Sequence, residues 1–144
     1  MNQDVHDYNH KLTDAERHVY ENVLAYLTTS DILAMRNIGI AVMEKMTAPE
    51  LQIYQARQVY EESLHTGTYQ HCIESIGLDQ SEIYNRYRVV PEIHQKISVA
   101  NRRLNSVLRS DIDLTDRDEL NNFVISYMFF SGIFEGCWFY NGFS

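Results

Sequence analysis

Val19, Tyr20, Val23, Leu24 and Leu27 recur at spacings of three and four residues, so a helix there carries one apolar face that must pack on another element. Thr13-Asp-Ala-Glu16 stands just upstream as a capping box, in which the Thr hydroxyl and the Glu carboxylate each satisfy a free backbone donor. The helix is expected to run to about Arg36, through Asp31. Asn37 to Met46 is apolar and contains Gly39, which suits a connector or a short buried helix. Thr47-Ala-Pro-Glu50 reads as a second capping box with Pro in the first turn. It predicts a helix over about Pro49 to Ile76 with Leu51, Tyr54, Val59, Leu64, Tyr69 and Ile73 as its apolar positions and Gly77 as its C-terminal cap.

A shorter helix over about Ser81 to Val89 stops before Pro91, because a residue preceding proline is biased away from the helical region. The next, over about Pro91 to Leu108, carries Ile93, Ile97, Ala100, Leu104 and Leu108 on one stripe, with a basic and polar opposite face. Asp111 to Glu119 is acidic, which suits a loop followed by the negative first turn that a helix dipole favours. The last helix is expected from about Asp116 to the end. Phe123-Val-Ile-Ser-Tyr-Met-Phe-Phe-Ser-Gly-Ile-Phe-Glu-Gly-Cys-Trp-Phe-Tyr140 is apolar nearly all round, as in a helix surrounded by others. The fold class is therefore all-α, with four or five long helices around one core. Residues 1–144 form a single domain whose first twelve are expected to be flexible.

Composition narrows the function classes. The chain has 144 residues, with 6 Gly and 2 Pro, too few turn residues for a many-stranded sheet. Twelve basic against 20 acidic residues give a net charge of −8, which opposes binding along a phosphate backbone, so nucleic acid is not an expected partner. No apolar run approaches the ~20 residues of a membrane span, and the first ten residues have no apolar signal core, so a soluble, cytoplasmic protein is expected. Cys72 and Cys137 form neither a disulfide framework nor a Cys-x-x-Cys site and read as small, reduced, buried residues.

The candidate chemistry lies in carboxylates and imidazoles. Glu62-Ser-Leu-His65 projects both groups from one helix face, the half-site geometry of carboxylate-bridged di-metal bundles. Four-residue matches also arise by chance on solvated helix faces. Tyr69 is one turn beyond His65, where a phenol can sit beside a metal or simply fill a core. Glu135 stands within Gly-Ile-Phe-Glu-Gly-Cys-Trp-Phe, and a carboxylate in apolar surroundings needs a partner. Asp31 follows an apolar face, although Thr28-Thr-Ser-Asp equally suits a surface or cap role. His71-Cys-Ile-Glu74 and Glu61 read as structural or exposed.

Taken together, Tyr60-Glu-Glu-Ser-Leu-His-Thr-Gly-Thr-Tyr69-Gln-His-Cys-Ile-Glu-Ser-Ile-Gly-Leu-Asp resembles the small subunit of class I ribonucleotide reductase, and the resemblance extends from about Leu12 to Ser144. It implies a ferritin-like helical bundle holding two iron ions, or manganese, that oxidise a tyrosine to a stable radical, which then passes to the large subunit. By motif, Asp31, Glu62 and His65 match first-site or bridging metal ligands, Tyr69 the radical-bearing phenol, and Glu135 a second-site carboxylate. Phe139 and Phe143 match the apolar lining of the radical pocket.

The family's second Glu-x-x-His pair and its large-subunit-docking tail have no counterpart here, and the only Trp is Trp138 rather than one upstream of the first helix. The expectation is thus an incomplete bundle with its second metal site unfinished, inactive alone and uncovered along its last helix. The resemblance also suggests a homodimer, and a separate chain could supply the missing pair. Two further readings are another ferritin-like di-metal oxidase, with Tyr69 structural, and a non-catalytic helical interaction module.

Overall fold

A computed structural model describes residues 2–143, and the side chain of Phe143 lies outside that description. Every regular element among the described residues is helical. The chain runs through α1 (Asn2–His10), α2 (Asp14–Asn37), α3 (Pro49–Ile76), α4 (Gln80–Asn85), α5 (Pro91–Asn105), α6 (Arg117–Met128) and α7 (Tyr140–Phe143). A π-helical segment, Ile38–Val42, extends α2, and a longer one, Phe129–Phe139, joins α6 to α7.

Local chemistry sets most of the helix ends. The Thr13 box forms: the Thr13 N–H donates to Glu16 Oε2 at 2.7 Å, and the Glu16 N–H donates to Thr13 Oγ1 at 3.3 Å. Thr47 forms no such box. Ala48, restrained by the following proline, is extended at φ −79°, ψ 123°, so it is the N-cap in place of Thr47 and the helix starts at Pro49 as expected. At the other end of α3, Gly77 takes φ +83°, and the N–H groups of Gly77 and Leu78 both donate to the Ile73 carbonyl. The α5 helix stops at Asn105 rather than Leu108, and the turn that follows carries Val107 into a small apolar cluster with Val42 and Phe123.

The main core gathers Leu24, Ala25, Tyr26 and Leu27 of α2 with Ile73, Ile83, Ile93, Ile97, Leu104, Phe130, Phe134 and Phe139. Phe130, Phe134 and Phe139 are spaced by four and five residues, the interval that aligns side chains on a helix wider than α, so the π segment turns all three inward. That face is buried, but Ile125, Met128 and Ile133 on the other are exposed, so the helix is not surrounded by others as its composition suggests. Arg117–Gly142 is 26 residues long, with a mean hydropathy of 1.2 in its most apolar 18-residue window. By length and composition alone it could cross a membrane, contrary to the sequence expectation; a bundle's core helix meets the same two criteria.

Three other expectations are corrected. The first residues form α1 instead of a flexible arm, because Tyr8 is buried and its hydroxyl donates to Glu21 Oε1 at 2.5 Å. Leu51, Tyr54 and Leu64 are exposed, since α3 buries the face carrying Gln55, Glu62 and Ile73. Cys137 is exposed and Cys72 half-buried, both as free thiols.

Candidate metal centre

The α2 helix is buried almost all round its middle, from Leu24 to Asp31, and delivers the Asp31 carboxylate, 1% exposed, to the α3 side. On α3, Gln55, Glu62 and Tyr69 stand seven residues apart, two helical turns each, so all three return to the face turned to α2. Glu62 is 6% exposed, whereas the His65 side chain, one turn on, is 52% exposed at the rim. His65 Nδ1 lies 3.3 Å from Glu62 Oε2 and 3.7 Å from Asp31 Oδ2. One ligand atom from each of Asp31, Glu62 and His65 falls within 4.8 Å of the other two. The two helices thus converge two carboxylates and one imidazole.

The electrostatics are those of an anionic pocket lacking a counter-charge. Burial, reinforced by the charge of Glu62, raises Asp31 to about 8, and a hydrogen bond from Tyr69 offsets only part of this. Glu135, reached from the π segment, is also raised to about 8 by burial and then by Glu62 and Asp31. The same burial and the charges of Asp31, Glu62 and Glu135 push the Tyr69 phenol far up. Asp31 Oδ2 and Glu135 Oε1 are buried without a hydrogen-bond partner. Glu135 therefore shares the compartment electrostatically while standing outside the tight cluster.

This donor set fits a divalent cation. Hard carboxylate oxygens with one imidazole suit iron or manganese, and a cation removes the cost of burying like charges together. The whole chain, residues 1–144, matches the family described as ribonucleotide reductase, small chain. The chain belongs to that family. It is 32% identical over 133 residues to the ribonucleoside-diphosphate reductase subunit beta of Chlamydia pneumoniae, covering 92% of this chain and 38% of the relative. It is 28% identical over 131 residues to the small subunit from Dictyostelium discoideum, 89% of this chain and 36% of that one. With small chain 1 of Saccharomyces cerevisiae it shares 28% over 138 residues, 93% and 33% of the two chains. The chain thus spans less than two-fifths of the length of each of these relatives.

Phe139, 3% exposed, sits with its ring 4.9 Å from Phe134, which also meets the rings of Phe130 and Trp138, so the four form one aromatic cluster along the π segment. The side chain of Phe143 lies outside the described residues. Sequence reasoning missed Tyr26, which is 5% exposed, packs its ring on Phe139 at 5.9 Å and carries the Lys96 ammonium 4.7 Å above its centroid. Burial, then the charges of Glu135 and Asp31, raise its phenol to about 12, with the nearby Ser30 hydroxyl offsetting part of the rise. One signal was available: Tyr26 and Ser30 are four residues apart and so share a helix face. Gln55, 1% exposed, was also missed; its amide donates to the Tyr127 hydroxyl at 3.0 Å, which no hydrophobic pattern announces.

Proposed function

We propose that this chain is the metal-binding core of a ribonucleoside-diphosphate reductase small subunit, a partial ferritin-like domain in which Asp31, Glu62, His65 and Glu135 hold the metal and Tyr69 is the phenol oxidised to a radical. The observation that carries the reading is the convergence of Asp31, Glu62 and His65 within 4.8 Å, with the Tyr69 phenol near enough to Asp31 to lower its pKa. Two iron ions, or manganese, would supply the one-electron oxidising power when bound. The protein's own part is to move the proton. As Tyr69 loses an electron its phenolic proton must leave with it, and the Asp31 carboxylate is the oxygen base that stands beside the phenol. Phe134 and Phe139, 0% and 3% exposed, keep water from the radical.

The partners follow from the same reading: a reductase large subunit that receives the radical and a second copy of the small subunit, in a cytoplasmic assembly. A further chain would bring a second Glu-x-x-His pair to the Glu135 side. The exposed Ile125, Met128 and Ile133 supply apolar surface for such an association.

Anaerobic loading with ferrous ion, followed by desalting and metal analysis, tests the centre. A bound ion that is lost in Glu62→Gln and His65→Ala is expected. Admission of oxygen to the loaded chain together with its completing partner should then give a tyrosyl signal that Tyr69→Phe abolishes. Oxygen uptake with an organic substrate but no radical would favour a di-metal oxidase, and no metal-dependent rise in melting temperature would favour a helical interaction module.

A further inference from the structure

Four buried oxygens on the α2 side of the π segment lack formed hydrogen bonds: the Tyr26 hydroxyl, Ser30 Oγ, Asp31 Oδ2 and Glu135 Oε1. Asp31 turns to α3, where His65 and Tyr69 meet it. The other three fall together by register. Leu27 packs on the Gly142 backbone, where an added Cβ would come within 3.2 Å of its Cδ2. Tyr26 packs its ring on Phe139, and further along α2 Ile38 lines one small cavity with Phe130. Going forward along α2 therefore means going back along the last helix: the two run antiparallel.

Ser30 is one turn on from Tyr26, and Glu135 is one turn back from Phe139, so the register sets Ser30 opposite Glu135. Ser30 is 0% and Tyr26 5% exposed, so no bulk water competes for their hydroxyls. A hydroxyl both donates and accepts, whereas an ionised carboxylate only accepts, so once Glu135 is ionised a chain from the Tyr26 phenol through Ser30 to Glu135 satisfies all three groups.

We propose that Ser30 is a positioning residue for Glu135: its hydroxyl donates to the Glu135 carboxylate while accepting from the Tyr26 phenol, so that the carboxylate is held facing the cluster of Asp31, Glu62 and His65. The Lys96 ammonium over the Tyr26 ring and the Phe139 ring beside it fix the phenol from two sides. The role of this chain of hydroxyls in metal binding rests on the reading of Glu135 as a ligand. The contact itself does not.

The test uses the full metal-free chain with 13C-labelled glutamate side chains, reading the Glu135 carboxyl resonance by NMR. Ser30→Ala should shift it, Ser30→Thr, which keeps the hydroxyl, should restore it, and Tyr26→Phe should produce a smaller shift in the same direction as Ser30→Ala. Glu61→Gln, at an exposed ion pair with Arg57, should leave it in place. A Glu135 resonance identical in Ser30→Ala and the parent chain overturns the proposal. In ferrous titrations, Ser30→Ala should weaken binding at Glu135 by about 10- to 100-fold, the usual effect of losing a group that orients a ligand. A shifted resonance with unchanged ferrous binding would leave the contact standing and overturn its part in holding a ligand.

Discussion

Oδ2 of Asp31 lies 3.7 Å from Nδ1 of His65, a buried carboxylate reaching toward an imidazole that opens to solvent. The pair joins the dry interior to the rim, and Glu62 closes the triangle at 3.3 Å from the same nitrogen. Without a cation, the interior side of this triangle disfavours folding. Asp31 and Glu135 both ionise more readily in the unfolded chain, near 3.8 and 4.5, than in the folded one, near 8. Between about pH 4.5 and 8 the folded state therefore binds more protons, and stability falls as pH rises. Thermal melts of the metal-free chain should give a higher Tm at pH 5.5 than at pH 8.5, by several degrees for a difference on the order of 1–2 kcal/mol. Asp31→Asn should flatten that slope and raise the Tm at pH 8.5. A Tm that climbs steadily from pH 5.5 to 8.5 would contradict the burial of these two carboxylates.

A cation should reverse the effect. A ligand that binds only the folded chain stabilises it by about 2.7 kcal/mol at a hundredfold excess over its Kd. Ferrous or manganous ion should thus raise the Tm most at the alkaline end of the range, where both carboxylates need a counter-charge. His65→Ala and Glu62→Gln should each abolish most of the rise. Tyr69→Phe should keep it, because the phenol meets the carboxylate and not the ion. Differential scanning fluorimetry with and without metal at two pH values separates the parent and Tyr69→Phe from the two ligand variants.

How much of this was legible in the sequence differs from element to element. The bounds of α3 and its Gly77 cap could be read directly, because proline and glycine act locally on the backbone. Which face of α3 is buried could not. Leu51, Tyr54 and Leu64 suggested an apolar stripe, but the inward face carries Gln55 and Glu62, since the helix packs on a polar centre instead of an oily one. The Glu62 and His65 pairing was visible as a spacing, whereas the approach of Asp31, thirty-one residues before Glu62, depends on how α2 lies on α3. The π segment had no signal of its own. A run that is apolar on every side fits either helix type, and only the packing of Phe130, Phe134 and Phe139 against α2 and α5 selects the wider one.

The N-terminal helix is held by one part-buried cluster. Glu21 accepts from the Tyr8 hydroxyl and from Arg86, and Arg86 also reaches Glu82 at 2.8 Å. Burial raises the Glu21 pKa, but the bonds from Tyr8 and Arg86 outweigh it and leave the carboxyl below its ordinary value. A depressed carboxylate contributes stability above its unfolded pKa of 4.5 and loses it as pH falls through the lower folded value. Tyr8→Phe should cost about 1–2 kcal/mol, as expected for a hydrogen bond to a charged group. Arg86→Ala should cost more, because it leaves a part-buried charge short of its partner. Hydrogen exchange should localise both effects, with amides of residues 5–10 losing protection at neutral pH and the parent chain losing it there only as pH falls through the lowered Glu21 value. Equal loss of protection throughout α3 would mean that the cluster supports the whole bundle.

Two glycines of the same helix should respond to alanine with opposite signs. Gly77 adopts φ +83°, where a Cβ crowds the backbone, and its amide closes the end of α3 through Ile73 and Glu74. Gly77→Ala should destabilise by about 1 kcal/mol, from the strain a side chain suffers in the left-handed region. Gly67 lies inside α3, and a Cβ added there meets nothing within 4 Å. Gly67→Ala should stabilise by about 0.5–1 kcal/mol, since alanine loses less backbone freedom than glycine on entering a helix. Urea denaturation should move the midpoint in opposite directions at unchanged slope. If Gly67→Ala also destabilises, the exposed side of α3 near His65 is covered in solution by another part of the protein or by a second chain.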